Sequence, residues 1–475
     1  MMVHKRLRVL FNSFSFMLVF LPIVLLIALH MRGTSLLAFI SIASFIFYAL
    51  FGHPWFLIPM SITILLDFFL AIRLMSVDNM WARRGLLGLS LCGNLGLLIA
   101  FKYSGLLFSL GSETINFYRG ISTPEMLVPL RHLVLPAGIS FYTFQTLSYM
   151  IDVYRGETPA ERNFWKFTAF VSFFPHLIAG PLTRHHQLLP GLENIRQHGI
   201  QPDWPGGIFL FCIGLSKKIL LADPLGRHAD SLIAWGSAVT FPASWIALLS
   251  FSLQIYFDFS GYCDMAIGLG RLFGIELPQN FNNPYSALNP TDFWRRWHIT
   301  LSQWMRDYLY FSLGGSRGTM GRVAANLMIT MLLGGLWHGA RWTFLIWGFY
   351  HGVLLLSYHV LRFRWDSFPR LFQRAMTFVL VCMGWTLFRA DSFVEAWLWL
   401  GGLFGLHGVQ SLPASAVSAI PILLLGFAAI IWGPVASRTE ELKTLRWPWQ
   451  VLLAGCTLGS FLLINRTSHF LYFQF

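Results

Sequence analysis

The chain has 475 residues, 55% of them hydrophobic and 12% charged, with a mean hydropathy of +0.59 and a formal net charge of +13. Such a composition excludes a soluble globular enzyme and places the protein among polytopic membrane proteins. Its basic residues gather in short connections between apolar stretches, the pattern of loops that meet anionic lipid and not of a nucleic-acid surface.

In chain order, apolar stretches fall at 14–30, 36–51, 55–72, 85–101, 135–151, 164–180, 207–221, 245–259, 326–337, 344–361, 376–388, 420–432 and 451–464. About 20 apolar residues cross a hydrocarbon core of about 30 Å, so the pattern predicts an all-α fold with roughly eleven or twelve spanning helices, the shortest stretches being re-entrant. The first stretch is too long for a signal-peptide core and no small-residue cleavage site follows it, so it is expected to be retained. Lys5, Arg6 and Arg8 precede it, and Arg73, Arg83 and Arg84 follow the third stretch. An odd number of crossings between two basic clusters conflicts with the positive-inside rule, so the rule leaves orientation open.

No repeat with a period of about 20 to 50 residues occurs and no long polar linker divides the chain, which predicts a single membrane-embedded domain over 1–475. The polar interruptions at 112–131, 183–205, 276–291 and 437–447 read as loops or interfacial helices. Cys92, Cys212, Cys263, Cys382 and Cys456 lie far apart with no Cys-x-x-Cys pair, and His185-His186 has no nearby carboxylate. Neither pattern has metal-ligand spacing, so no metal is expected.

The region 253–352 carries the chemistry. In LQIYFDFSGYCDMAIGLGRLFGIELPQNFNNPY, Asp258 and Asp264 flank a Ser260-Gly261 pair read as a break. Carboxylates there must face water, pair with arginines or cap helix ends, and pairing is the expected role. Pro290, Thr291 and Asp292 then form a helix-start signal ahead of FWRRWHITLSQWMRDYLY. Read as one interfacial helix, this segment puts Phe293, Trp297, Leu301, Trp304 and Tyr308 on an apolar face and Arg295, His298, Ser302 and Arg306 opposite. A snorkelling helix without chemistry explains that pattern equally well. Beyond it LLGGLWHGA holds His338 next to Gly334, Gly335 and Gly339. A histidine at a break in an apolar segment marks a functional site, with a core histidine bonded to a backbone carbonyl as the alternative.

Five strings, FPHLIAGPLTR, YFDFSGYCDMAIGLG, NFNNPY, FWRRWHITLSQWMRDYLYFSLGG and LLGGLWHGARWTFLIWGFYHG, occur in order and resemble the bacterial membrane-bound O-acyltransferase (MBOAT) family. They are similar in particular to the branch that includes the membrane subunit of alginate O-acetyltransferase. The resemblance extends from FMLVFLPIVL to the closing FLYFQF, with two departures: Cys263 where that branch usually has serine, and Arg341 where a neutral residue is common. It implies a ring of helices around a central tunnel in the bacterial inner membrane, where acetyl passes from cytosolic acetyl-CoA to an extracytoplasmic polysaccharide such as alginate, cellulose or peptidoglycan. It also implies His338 of the WHG motif as the catalytic residue, His298 of RRWHxxLS as a second functional position, and a periplasmic partner with a serine-hydrolase-like domain. Acetyl-CoA is then the donor substrate, with no bound cofactor.

The residues suit that chemistry. A thioester is already activated, so transfer to a hydroxyl needs a base and a site that positions both reactants. A buried His338 is expected to be neutral and ready to accept a proton. Arg295, Arg296 and Arg306 are candidates for coenzyme A phosphates or lipid headgroups, and Asp258, Asn282 and Trp337 are further candidates for substrate contact. A thiol route through Cys263 is disfavoured, since Asp264 beside it opposes a thiolate. Two other functions remain on the sequence alone: D-alanyl transfer from a carrier protein to teichoic acid, and a transporter or flippase whose intramembrane polar residues line a path.

Overall fold

The structure is a computed structural model that describes residues 9–108, 134–234, 240–409, 412–433, 447–464 and 470–471. Lys5, Arg6, Arg8 and the segments 112–131 and 437–446 lie outside the described residues. No strand occurs among those described. Helices α1 Ser15–Leu29, α2 Gly33–Phe51, α3 Pro54–Met75, α4 Met80–Phe108, α5 Ile139–Arg155, α6 Phe164–Ser172 and α7 His185–His198 come first. They are followed by α8 Trp204–Ser216, α9 Asp223–Ile233, α10 Phe241–Leu272, α11 Pro290–Arg296, α12 Ile299–Trp304 and α13 Met320–His338. The last are α14 Trp342–Asp366, α15 Arg370–Arg389, α16 Phe393–Leu403, α17 Ala414–Trp432 and α18 Trp447–Leu463.

Among the described residues seven helices, α2, α3, α4, α13, α14, α15 and α17, are long and apolar enough to cross a membrane. Their burial pattern is that of a protein dissolved in lipid: Ile46, Ile58, Phe69, Val360, Leu371 and Leu424 are exposed, while Asp67, Asn94, Asn326 and Thr377 are buried. The chain is a multi-pass membrane protein. Its stretch at 164–180 is not one helix: α6 ends at Ser172, Phe173 turns out of helical geometry, and a separate turn over Phe174–Leu177 starts with Pro175 near its head.

Contacts divide the chain into two units, one of Met1–Ile208 with Ala266–Pro278 and one of Phe209–Met265 with Gln279–Phe475. In the first, buried polar side chains bridge neighbouring segments. Asp67 on α3 accepts from Ser90 Oγ at 2.6 Å and Asn94 Nδ2 at 2.8 Å on α4, and Gln145 Nε2 on α5 donates to Thr183 Oγ1 at 3.0 Å.

In the second unit α13 and α14 form a hairpin that packs backbone against backbone. A Cβ at Gly335 would overlap the Phe344 carbonyl oxygen, and one at Gly348 would overlap that of Met331. Helix α10 runs unbroken through Ser260 and Gly261, contrary to the break expected there. Gly261 serves a different purpose: it and Gly214 on α8 lie against each other's carbonyl oxygens, so the two helices cross at a distance that excludes side chains. The carboxylates beside that crossing pair with lysines instead of arginines. Lys217 Nζ is 2.6 Å from Asp264, and Lys218 Nζ is 2.6 Å from Asp258 and 2.8 Å from Asp223.

Candidate active site

The segment from Pro290 to Tyr310 is bent in the middle, not the single helix its periodicity suggests. Asn289 caps α11 by accepting from Asp292 N, and α11 stops at Arg296. His298 then takes a left-handed backbone, φ 44° and ψ 52°, before α12 begins. An L-residue there costs about 1–2 kcal/mol, so something must hold it.

The holder is Asn280, from the NFNNPY string. Its carbonyl oxygen on the backbone accepts from Ile299 N at 2.9 Å. Its Oδ1 accepts from Thr300 N at 3.2 Å and Thr300 Oγ1 at 2.9 Å, and lies 3.2 Å from His298 Nδ1. A backbone N–H can only donate, so that Asn280 atom is oxygen and His298 Nδ1 must carry a proton to approach it. The lone pair of a neutral His298 is therefore on Nε2. The ring is 1% exposed, packs edge to face on Phe259 at 4.8 Å, and burial pushes it down to about 3. Asn280 Nδ2 lies 3.3 Å from Cys263 Sγ, so the cysteine that departs from the branch pattern belongs to this same buried network.

His338 is the last residue of α13 and is 7% exposed. Its ring sits in an aromatic box, 5.2 Å from Trp347, 5.1 Å from Phe388 and 5.0 Å from Trp337. The Trp337 ring also meets His298 at 5.8 Å, so one indole touches both histidines. Gly339 follows in an extended conformation with the Phe344 ring where a Cβ would lie.

His338 opens onto a cavity of about 520 Å³ within the second unit. Trp294 and Arg295 of α11, Ser302 of α12, Met305, Arg306 and Tyr310 of the π-helical turn Met305–Tyr310, Thr330 and Gly334 of α13 and Trp347 of α14 line it with His338. That volume is in the range of small-molecule sites. The bend explains how α11 and α12 share this wall, and the wide π turn aims Arg306 and Tyr310 at it. Gly334 has open space where a Cβ would be, so its missing side chain belongs to the cavity.

Of the residues singled out from sequence, His338, Arg295 and Arg306 come together on this wall. His298, Arg296, Asp258, Asn282 and Trp337 are not among its lining residues. The left-handed turn accounts for His298, which the helical wheel grouped with Arg295, Ser302 and Arg306. Arg296 is held by Asp292 at 2.7 Å, four residues back on α11, and its carbonyl accepts from Asn282 N at 3.0 Å. Asp258 is committed to Lys218 and to Leu471 N at 2.7 Å. The two cavity guanidiniums differ: Arg306 pairs with Asp307 at 2.6 Å, whereas no carboxylate pairs with Arg295 among the described residues. Arg341, the other departure, pairs with Asp391 and lies 4.9 Å over the Phe344 ring. Sequence reading missed Asn280, Trp294 and Trp347. Asn280 lies in a motif already singled out, while the two tryptophans carry no signal in a chain with 19. No cluster of His, Cys, Asp and Glu able to hold a metal occurs among the described residues.

Known proteins place this geometry in context. The family model described as MBOAT, membrane-bound O-acyltransferase family, matches residues 161–393. A probable alginate O-acetylase of Azotobacter vinelandii is 40% identical over 432 residues, covering 89% of this chain and 83% of that protein. A peptidoglycan O-acetyltransferase of Helicobacter pylori is 36% identical over 84% of this chain and 81% of its own. A teichoic acid D-alanyltransferase of Bacillus subtilis is 26% identical over 58% and 73%.

Proposed function

The chain belongs to the membrane-bound O-acyltransferase family and is an acyltransferase, and from that premise we propose that it moves acetyl from cytosolic acetyl-CoA across the bacterial inner membrane for O-acetylation of an extracytoplasmic polysaccharide. On this reading roughly eleven or twelve helices surround a tunnel. His338 is the base. The acceptor hydroxyl gives its proton to His338 while its oxygen attacks the thioester carbonyl, and coenzyme A leaves as a thiolate that takes the proton back. Arg295 and Arg306 hold phosphate oxygens of the donor by two-point guanidinium contacts. His298, locked by Asn280 outside the cavity wall, positions the wall and the neighbouring Trp337. The acceptor is the polymer itself or a serine of a periplasmic hydrolase-like partner that completes delivery.

The observation that carries this reading is the common wall: a histidine and an arginine without a carboxylate partner line one cavity of about 520 Å³. Relatives named for alginate and peptidoglycan O-acetylation favour acetyl and a cell-envelope polymer. Membranes containing the wild type should transfer radiolabelled acetyl from acetyl-CoA, and His338→Ala at matched protein level should lose about 10² to 10⁴ of that rate. A His338→Ala protein that folds and still turns over at the wild-type rate ends the proposal. The more distant D-alanyltransferase relatives favour a second reading, in which a carrier-bound D-alanine is the donor. Offering both donors to the same membranes decides between them.

A further inference from the structure

Two glycines stand side by side near the end of α13, and their surroundings give them opposite work. A Cβ on Gly335 would overlap the Phe344 carbonyl oxygen, so that position has to stay bare for α14 to pack. At Gly334 no side chain, and no backbone outside its own turn, comes within 4 Å of where a Cβ would be. Packing does not require glycine there, and the helix would be more stable with alanine. The open space belongs to the His338 cavity, because Gly334 is one of its lining residues. Gly321, on the first turn of the same helix, is equally open but is not among those lining residues.

Gly334 precedes His338 by one helical turn. Helical side chains lean toward the N-terminus, which carries the imidazole over the turn that Gly334 occupies. Aromatic rings flank that imidazole elsewhere: Trp337 at 5.0 Å, Phe388 at 5.1 Å, Trp347 at 5.2 Å and Phe344 at 6.5 Å. The bare position is the clearing on the α13 side of the base. A hydroxyl oxygen within hydrogen-bond reach of the imidazole attacks a carbonyl carbon about 3–3.5 Å away, which brings the acyl group of the donor close beside the ring. We propose that Gly334 is the acyl-size selector of the site: its missing side chain leaves the room that takes the acyl chain of the thioester, and that room admits a chain longer than acetyl. This rests on the reading of His338 as base to a thioester. Carbon atoms of the protein and of the acyl group compete there for one volume, and a single methylene in an apolar pocket changes kcat/KM about 10- to 200-fold. Leu327 and Met331 of α13 and Leu355 of α14 continue the lining as apolar side chains, which suits a hydrocarbon occupant.

The test uses full-length protein in lipid nanodiscs, with acetyl-, propionyl- and butyryl-CoA as donors. The wild type should transfer propionyl as well as acetyl. Gly334→Ala should lower the propionyl-to-acetyl ratio of kcat/KM about 10-fold, and Gly334→Val should lower it further. Gly321→Ala, which adds the same methyl away from the cavity lining, should keep the wild-type ratio. The S-ethyl, S-propyl and S-butyl thioethers of coenzyme A read the same preference from Kd in any variant that no longer turns over. A wild type that accepts acetyl but refuses propionyl overturns the proposal. So does an unchanged ratio in folded Gly334 variants, whether or not their total activity falls. Failure of the underlying reading looks different. A wild type that uses no acyl-CoA has another donor, and the ratio is then taken between D-alanyl and glycyl groups on a carrier protein, where it must fall in the same order. Turnover of His338→Ala at the wild-type rate sinks the base, whereas the Gly334 ratio alone decides the selector.

Discussion

Asn280→Ala removes the oxygen that holds the bend in the RRWH segment. In the wild type that Oδ1 takes three donors, from His298 Nδ1, Thr300 N and Thr300 Oγ1, and all three residues are buried at 0–3% exposure. At roughly 1 kcal/mol per bond the loss is about 3 kcal/mol, a large part of the margin of about 5–15 kcal/mol that holds a typical protein folded. The left-handed backbone at His298 adds to this, since its strain of about 1–2 kcal/mol is no longer offset locally. We expect the unfolding midpoint of detergent-solubilised protein to fall by roughly 5 °C or more. Acetyl transfer should fall as well, because α11 and α12 lose the angle that lets them share the cavity wall. His298→Gly supplies the test of cause, since glycine takes the left-handed conformation without strain. In a double-mutant cycle Asn280→Ala should cost less on the His298→Gly background than on the wild type. Strict additivity, or an Asn280→Ala protein with wild-type midpoint and turnover, refutes the idea that this oxygen keeps the bend.

Gly348→Ala should destabilise by about 1–3 kcal/mol, because its Cβ meets backbone on α13, while Gly334→Ala should leave the melting curve unchanged and raise KM for the donor by filling cavity space. Burial holds His298 down to about 3, and His176 in the other unit likewise. An unfolded chain takes up protons on both below about pH 6.5 that the folded one refuses, so their stabilisation is complete above that pH and is lost progressively between about 6.5 and 3. Midpoints measured from about pH 8 to 4 should be flat and then fall, and His298→Gln should soften the fall. Lys218→Met strands Asp258 and Asp223 in the interior and should cost about 3–5 kcal/mol, seen as lost expression or a lower midpoint, whereas pairing it with Asp258→Asn should recover part of the loss.

Hydropathy made the spanning helices legible because lipid demands the same thing of every residue along a span. The stretches at 36–51, 55–72 and 344–361 fall inside α2, α3 and α14. Local pattern failed where a distant residue decides. Nothing between Thr291 and Tyr310 announces a break, since the oxygen that stabilises it belongs to Asn280. The Ser260-Gly261 pair looked like a break for the opposite reason. Glycine serves close helix crossing as well as turning, and only the carbonyl of Gly214 across the gap distinguishes them. The expected pairing of Asp258 and Asp264 was right in kind, but Lys217 and Lys218, more than twenty residues ahead of α10, supply the charge, which spacing alone does not reveal.

The family resemblance marks His338 as the catalytic residue and His298 as a second functional position, and on the proposed reading their surroundings suit different work. His298 is tied at Nδ1 and enclosed by Phe259 and Trp337, and it lies outside the cavity wall, so it is built to keep one orientation. His338 closes α13, where the carbonyl end of the helix carries partial negative charge that favours a positive one appearing beside it. A base needs its charge stabilised only while it holds the proton, and the thiolate then removes that charge. An Asn or Gln at position 298 that preserves the contact with Asn280 should therefore retain turnover that the same substitution at 338 destroys. Equal loss at both positions in folded protein would mean that both imidazoles exchange protons with substrate, and the division of labour argued from the cavity wall would be wrong.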